Sequence, residues 1–151
     1  MLQNVIDPNA KLDEHQLRSF ANRHGLKLPK EYESFLLSTN GGQPVPAGFP
    51  IAGFPNNPVG AVQAFFGLGA GIASEDLEKN LLELQPAVPK GILPIAATEG
   101  DDFLLLDLRK SHAPVIFWDR KPFWGSNLWN ESDLYPVAGN FISFLRSLHD
   151  L

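Results

Sequence analysis

Thirteen glycines and thirteen prolines among 151 residues set the first limit on what this chain can fold into. Proline removes a backbone donor and glycine loosens the backbone, so each interrupts long regular elements. Their frequency predicts several short elements joined by ordered loops and excludes one long helical bundle. Residues 49–73 are weakly charged, yet Pro50, Pro55, Pro58 and five glycines break them up. They offer no membrane-spanning helix. The opening run Met1-Leu2-Gln3-Asn4-Val5-Ile6-Asp7-Pro8 has neither a basic start nor an apolar stretch, so no secretory signal is expected in it. The expected compartment is the cytoplasm. With 44% hydrophobic and 19% charged residues, the chain has enough apolar surface for a core, and its length fits one domain, residues 1–151.

Helix starts and stops are legible in the first third. Asp13 can cap a helix, and Gln16 can reach back in a capping box. Leu17, Phe20 and Ala21 then fall at helical spacing, and Gly25 supplies a left-handed stop. Pro29 suits the first turn of a second helix, in which Tyr32, Phe35, Leu36 and Thr39 share one stripe. Asn40-Gly41-Gly42 ends it, because these residues tolerate positive φ.

Residues 43–58 predict turns with room for an edge strand, and residues 61–66 a buried strand. Ser74 is expected to cap a third helix carrying Leu77, Leu81 and Leu84, stopped by Pro86. Strands are expected at residues 93–96, 102–108 and 115–118. The middle one is apolar on both faces and joins its neighbour through an antiparallel loop at 109–114. Residues 123–135 are irregular and aromatic, and a last helix is expected over 137–149. The order of elements predicts an α+β domain: a mainly antiparallel sheet flanked by about four helices, two N-terminal, one central and one C-terminal. Apolar residues between Phe49 and Phe54 fit either a homodimer contact or a buried loop, so monomer and homodimer both stay open.

Most site chemistries fail on spacing. There is no cysteine, which removes disulfides, thiol nucleophiles and thiolate metal sites. His15, His24, His112 and His149 form no metal-ligand pair and read as surface or helix-end residues, His149 in the last turn of a helix. Gly67-Leu68-Gly69-Ala70-Gly71 follows a strand and precedes a helix. It has Ile72 where a dinucleotide fingerprint needs glycine, and it lacks the lysine of a P-loop, so it reads as a connector. Gly125-Ser126-Asn127 is not a nucleophile elbow. Asp101 and Asp102 suit a polar turn that begins a strand better than acid–base work. No catalytic residue, cofactor or metal is expected.

Trp118-Asp119-Arg120-Lys121-Pro122-Phe123-Trp124 mixes aromatics with cations, as single-strand nucleic acid binders do. Here the cations stand in a chain of net charge −5, which opposes nucleic acid binding. What survives is a set of carboxylates on turns: Glu99, Asp101, Asp102, Asp119, Glu131 and Asp133. Trp124 and Trp129 lie nearby in sequence as possible anchors. Acidic loops on a rigid sheet suit docking of a basic protein. From charge alone, an ordinary solvated surface explains them better.

The run Leu28-Pro29-Lys30-Glu31-Tyr32-Glu33-Ser34-Phe35-Leu36-Leu37-Ser38-Thr39-Asn40-Gly41-Gly42 resembles the signature helix of the SUKH superfamily, L-P-x-x-Y-x-x-F-L-x-x-x-N-G-G. Further segments resemble it in order. Phe65-Phe66-Gly67-Leu68 resembles its second apolar strand and turn. Leu93-Pro94-Ile95-Ala96 with Gly100-Asp101-Asp102-Phe103-Leu104-Leu105-Leu106-Asp107 resembles its strand pair. Val115-Ile116-Phe117-Trp118-Asp119 and Phe141-Ile142-Ser143-Phe144-Leu145 resemble its later strand and closing helix. Glu99-Gly100-Asp101 departs by having one glycine where the family usually has two, and residues 127–136 match poorly.

The resemblance implies an α+β domain with no established catalytic residues. Bacterial members resemble immunity proteins that bind and neutralise a cognate toxin, often a nuclease; fungal members resemble regulators of cell-wall synthesis that act as interaction hubs. The expectation is a non-enzymatic, cytoplasmic immunity-type protein that occludes a toxin by direct contact. A regulatory scaffold module is the first alternative, and a small hydrolase or nucleotide-binding enzyme using the glycine loop the second. The signature residues themselves look like helix starts, stops and core positions, with Pro94, Asp102 and Asp107 as strand boundaries; loops outside them would read the partner.

Overall fold

The structure is a computed structural model that describes residues 1–55, 59–120 and 129–151. The described elements are β1 (Asn4–Ile6), α1 (Glu14–Arg23), α2 (Lys30–Thr39), β2 (Gln43–Val45), β3 (Gly48–Pro50), β4 (Val59–Phe65), α3 (Leu77–Leu84), β5 (Ile92–Thr98), β6 (Phe103–Asp107), β7 (Val115–Trp118), β8 (Leu134–Ala138) and α4 (Phe141–Ser147). Single 3-10 turns stand at Ala73–Glu75 and Glu131–Asp133. β3 to β8 pair in chain order as a six-stranded antiparallel meander, and β1 and β2 form a separate antiparallel pair. The class is α+β with four helices, as the pattern of helices and strands predicted.

Both N-terminal helices begin and end on local chemistry. The Asp13 carboxylate accepts from the Gln16 N–H while the Gln16 side chain accepts from the Asp13 N–H, so two orphan donors of α1 are satisfied. Gly25 follows with φ +60°. Pro29 is the N-cap of α2, and Asn40 ends it in the left-handed region at φ 48°.

Asn40 does more than stop the helix. Its side-chain N–H groups donate to the carbonyls of Ala10 (2.8 Å) and Leu68 (2.9 Å), and its Oδ1 accepts from Leu68 N–H (2.8 Å). The helix end, the N-terminal arm and the glycine connector are therefore tied through one buried amide. A Cβ on Gly67 would sit 2.0 Å from the Asn40 carbonyl oxygen, so the connector needs glycine at its closest approach.

Strand register gives the sheet two faces. Leu104, Leu106, Val115 and Phe117 point to one side, and Phe103, Leu105, Ile116 and Trp118 to the other. The first side carries an aromatic core in which Phe35 packs on Phe65 (4.8 Å), Phe65 on Phe144 (6.0 Å) and Phe49 on both Phe144 and Phe117. Tyr32 of α2 meets Phe141 of α4 edge-on at 5.1 Å. On the second side Phe103 contacts Phe66 and Trp118, and Trp129 stands edge-on against Trp118 at 5.4 Å. Phe49 and Ile51 are buried, and Phe54 packs on Phe117 and Tyr135. The buried loop, not an open apolar patch, explains residues 49–54.

Several boundaries differ from expectation. The cap of α3 is Asp76 rather than Ser74, which lies in the preceding 3-10 turn. Asp76 Oδ1 also accepts from Gly69 and Ala70 N–H at 2.9 and 3.1 Å, so one carboxylate organises both the connector and the helix start. Val137 and Ala138 belong to β8, because pairing with β7 outweighs their helical spacing, and Asn140 caps α4 four residues later than the pattern suggested. His149 lies beyond α4, bridged to Gly48. Pro94 stands inside β5 rather than at its boundary, where the register shifts between Pro94 and Ala96 and a ladder donor is dispensable.

Candidate functional site

The antiparallel register brings Ala97 beside Phe103, Phe103 beside Trp118, and Trp118 beside Leu134. The β5–β6 turn, the end of β7 and the start of β8 therefore share one end of the sheet. Glu99, Asp101, Asp102, Asp119 and Asp133 all converge there.

The β5–β6 connection is a four-residue loop, residues 99–102. Thr98 and Asp102 close it by Thr98 N–H donating to the Asp102 carbonyl at 2.9 Å, and Asp101 N–H donates to the Thr98 carbonyl at 3.1 Å. Asp101 takes the left-handed conformation, φ 63°, that this loop requires. Geometry thus explains an aspartate there, and its carboxylate remains exposed to solvent.

Asp102 is half-buried. Its Oδ1 accepts from the Arg120 N–H at 2.8 Å, which fixes the chain leaving β7 against the turn. Burial pushes its carboxyl up to about 6; the neighbouring Asp119 and Asp101 charges push the same way, and the Arg120 N–H and cation only partly offset them. The Arg120 guanidinium lies 4.6 Å from the Phe103 ring centre and 5.9 Å from that of Trp118. Asp119 N–H donates to the Asp133 carbonyl at 2.9 Å.

Other candidates are differently placed. Glu131 turns away to Arg109 (3.7 Å) and accepts from Trp129 Nε1–H at 3.3 Å. Trp129 is half-buried, with its ring against Trp118 and 6.0 Å from the Arg109 guanidinium carbon, so much of its surface already serves the fold. Trp124 lies outside the described residues, as does the rest of 121–128.

Sequence reasoning missed the concavity beside these charges. Asp101, Asp102, Phe103 and Arg120 line a cleft of about 420 Å³ together with Asn80 of α3. The available signal was Asn80 itself, a polar residue on the otherwise apolar stripe of Leu77, Leu81 and Leu84. Among the described residues, no group of three or more His, Asp or Glu side chains could hold a metal ion, and no helix is long and apolar enough to cross a membrane.

The sequence model of the SMI1 / KNR4 family (SUKH-1) matches residues 11–147, from before α1 to the end of α4. The chain belongs to the SMI1 / KNR4 family. No curated protein and no solved structure matches it. Membership supports a non-enzymatic domain of immunity or regulatory type that works by binding a protein. In this SUKH-1 chain the signature positions Pro29, Tyr32, Phe35, Asn40 and Gly41 form a helix cap, core contacts and the stop of α2. They build the frame, and the acidic end lies apart from them.

Proposed function

We propose that this SUKH-1 chain is a cytoplasmic immunity protein, a single domain that neutralises a cognate toxin by covering its basic surface with the acidic end of the sheet. The observation that carries this reading is the convergence of Glu99, Asp101, Asp102 and Asp119 on one rigid end, fixed by adjacent hydrogen-bonded strands. Charges held this way repel one another, and a cation brought among them relieves that repulsion. A basic partner supplies one, since complementary charge steers encounter and fixes orientation. A toxin that grips nucleic acid presents such a basic surface.

The test is protection of a toxin-expressing host. The wild-type chain should rescue growth in the presence of the toxin encoded beside it, and the double variant E99K/D101K should not. That variant should stay folded and melt within a few degrees of wild type, the small loss arising because lysine is less at ease than aspartate in the left-handed backbone at Asp101. Full rescue by the double variant would reject this face. Lack of a neighbouring toxin gene, with recovery of the chain in a multiprotein assembly, would favour a regulatory scaffold instead.

A further inference from the structure

The cleft beside the acidic turn has a chemistry of its own. Its floor is Ala64, Ala97 and Phe103, residues of β4, β5 and β6 that the register places on the second face of the sheet. One wall is Asn80 of α3 with Ser74 and Glu75 from the preceding 3-10 turn, and Gln63 of β4 adds a neutral amide. The other is Asp101 and Asp102, with Arg120 stacked over Phe103. An apolar floor with polar walls suits a guest with a flat or alkyl body and a polar tip.

The polar groups decide the tip. Asn80 is only 8% exposed. Both its N–H donations are committed, to the carbonyls of Ser74 (3.0 Å) and Asp76 (2.8 Å), and among the described residues none donates to its carboxamide oxygen. What Asn80 offers the cleft is therefore an acceptor. Asp102 uses Oδ1 on Arg120 N–H and keeps Oδ2 as a second acceptor. Asp101 and Glu75 add carboxylates, so three negative charges face the one positive charge of Arg120. Acceptors in excess, with net negative charge, call for a guest that is a cation and a multiple hydrogen-bond donor. Lysine and arginine side chains have that form, each an alkyl stem ending in a charged donor. A bare metal ion fits less well, because the carboxylates stand around an apolar floor and do not form a ligand set.

We propose that this cleft is a socket for a single lysine or arginine side chain presented by the protein partner. It rests on the reading that the chain binds a basic protein, and it adds an anchor to that reading. The stem lies on Phe103 and Ala97, and the cationic tip donates to Asp102, Glu75 and the Asn80 oxygen. Arg120, held on its aromatic shelf, closes one side against a second cation. Uptake of a cation and ionisation of Asp102 favour each other, so acid should weaken the socket. The charged groups that bear on Asp102 are Asp101 in its own turn and Asp119 and Arg120 after β7, and Glu75 lines the same cleft.

The experiment is an amide-resolved NMR titration of the whole chain with N-acetyl-argininamide and N-acetyl-lysinamide. The neutral arginine isostere N-acetyl-citrullinamide and calcium chloride serve as controls. At about pH 7.5 one or both cations should shift Ala97, Phe103 and the Asn80 side-chain amide. D102N keeps the acceptor for Arg120 N–H and should weaken the cation about tenfold, the loss of one close charge pair. E75Q, at the opposite wall, should weaken it several-fold, and wild type should weaken as pH falls below about 6.

Equal shifts from the citrulline probe, binding unchanged in both variants, a response to calcium alone, or no localised shift with either cation would overturn the socket. Failure here while E99K/D101K still abolishes toxin protection removes only the socket. A positive titration with toxin protection intact in E99K/D101K removes the proposed function, and with it the partner assigned to the socket, leaving a cation-binding cleft that the toxin does not use.

Discussion

At the scale of single residues, Asn40 and Asp102 show opposite relations between structure and stability. Asn40 is 1% exposed, makes three side-chain hydrogen bonds and holds a left-handed backbone. N40A loses the bonds and strains the backbone, and should cost about 3 kcal/mol. N40G loses the bonds alone and should fall between wild type and N40A in urea unfolding; equal losses would remove the backbone contribution.

Asp102 has a carboxyl raised by burial, so its sign is reversed. The folded state holds its proton more tightly than the unfolded chain, and stability from this group falls as pH rises from about 4 through about 6. D102N should therefore be the more stable protein at about pH 7.5, by about 1 kcal/mol once solvent screening of a half-buried group is allowed for, or ~2–4 °C in melting temperature. The advantage should shrink toward zero as pH falls toward 4. Thermal melts across that range check it, and a less stable D102N at neutral pH would refute the assignment. A carboxylate that costs stability is what a binding role predicts.

At the scale of elements, the β6–β7 connection depends on Asp107, 1% exposed at the end of β6. Burial alone would raise its carboxyl, but Arg109 donates from its backbone N–H, Nε and Nη2 at 3.1, 2.9 and 3.0 Å, and the net result is a lowered value. This stability is present above the ordinary aspartate range and is lost as pH falls through the lowered one. R109A strands a buried carboxylate and should cost about 2 kcal/mol at neutral pH, with Arg109 itself a third exposed. The cost should narrow below about pH 4 as Asp107 protonates in the variant. Chemical denaturation at the two pH values separates the outcomes.

The same scale explains what the sequence could show. The capping box at Asp13, the stop at Asn40 and the strand at Val115–Trp118 were legible because each is decided by near neighbours or a dense apolar run. β1 and β8 were not, since three or five half-exposed residues become strands only by pairing with β2 and β7. Ser74 and Asp76 can both cap a helix. Asp76 does so because its other oxygen also receives Gly69 and Ala70, a contact that local spacing does not reveal. At the site the charges were visible but the cleft was not. It needs Glu75 and Asn80 brought to Asp102 across the face of the sheet.

At the scale of the whole molecule, a chain of net charge −5 gathers several of its carboxylates where function is proposed, and the frame that holds them is the SUKH-1 fold. A charge-steered complex has a kinetic signature, because added salt screens long-range attraction and slows encounter while short-range packing keeps dissociation nearly constant. The decisive measurement is the association rate of the purified chain with its neighbouring toxin between about 50 mM and about 500 mM NaCl. The account predicts a fall of about tenfold or more, and a much flatter dependence for E99K/D101K. An association rate that ignores salt, or a double variant that associates as fast as wild type, would contradict it.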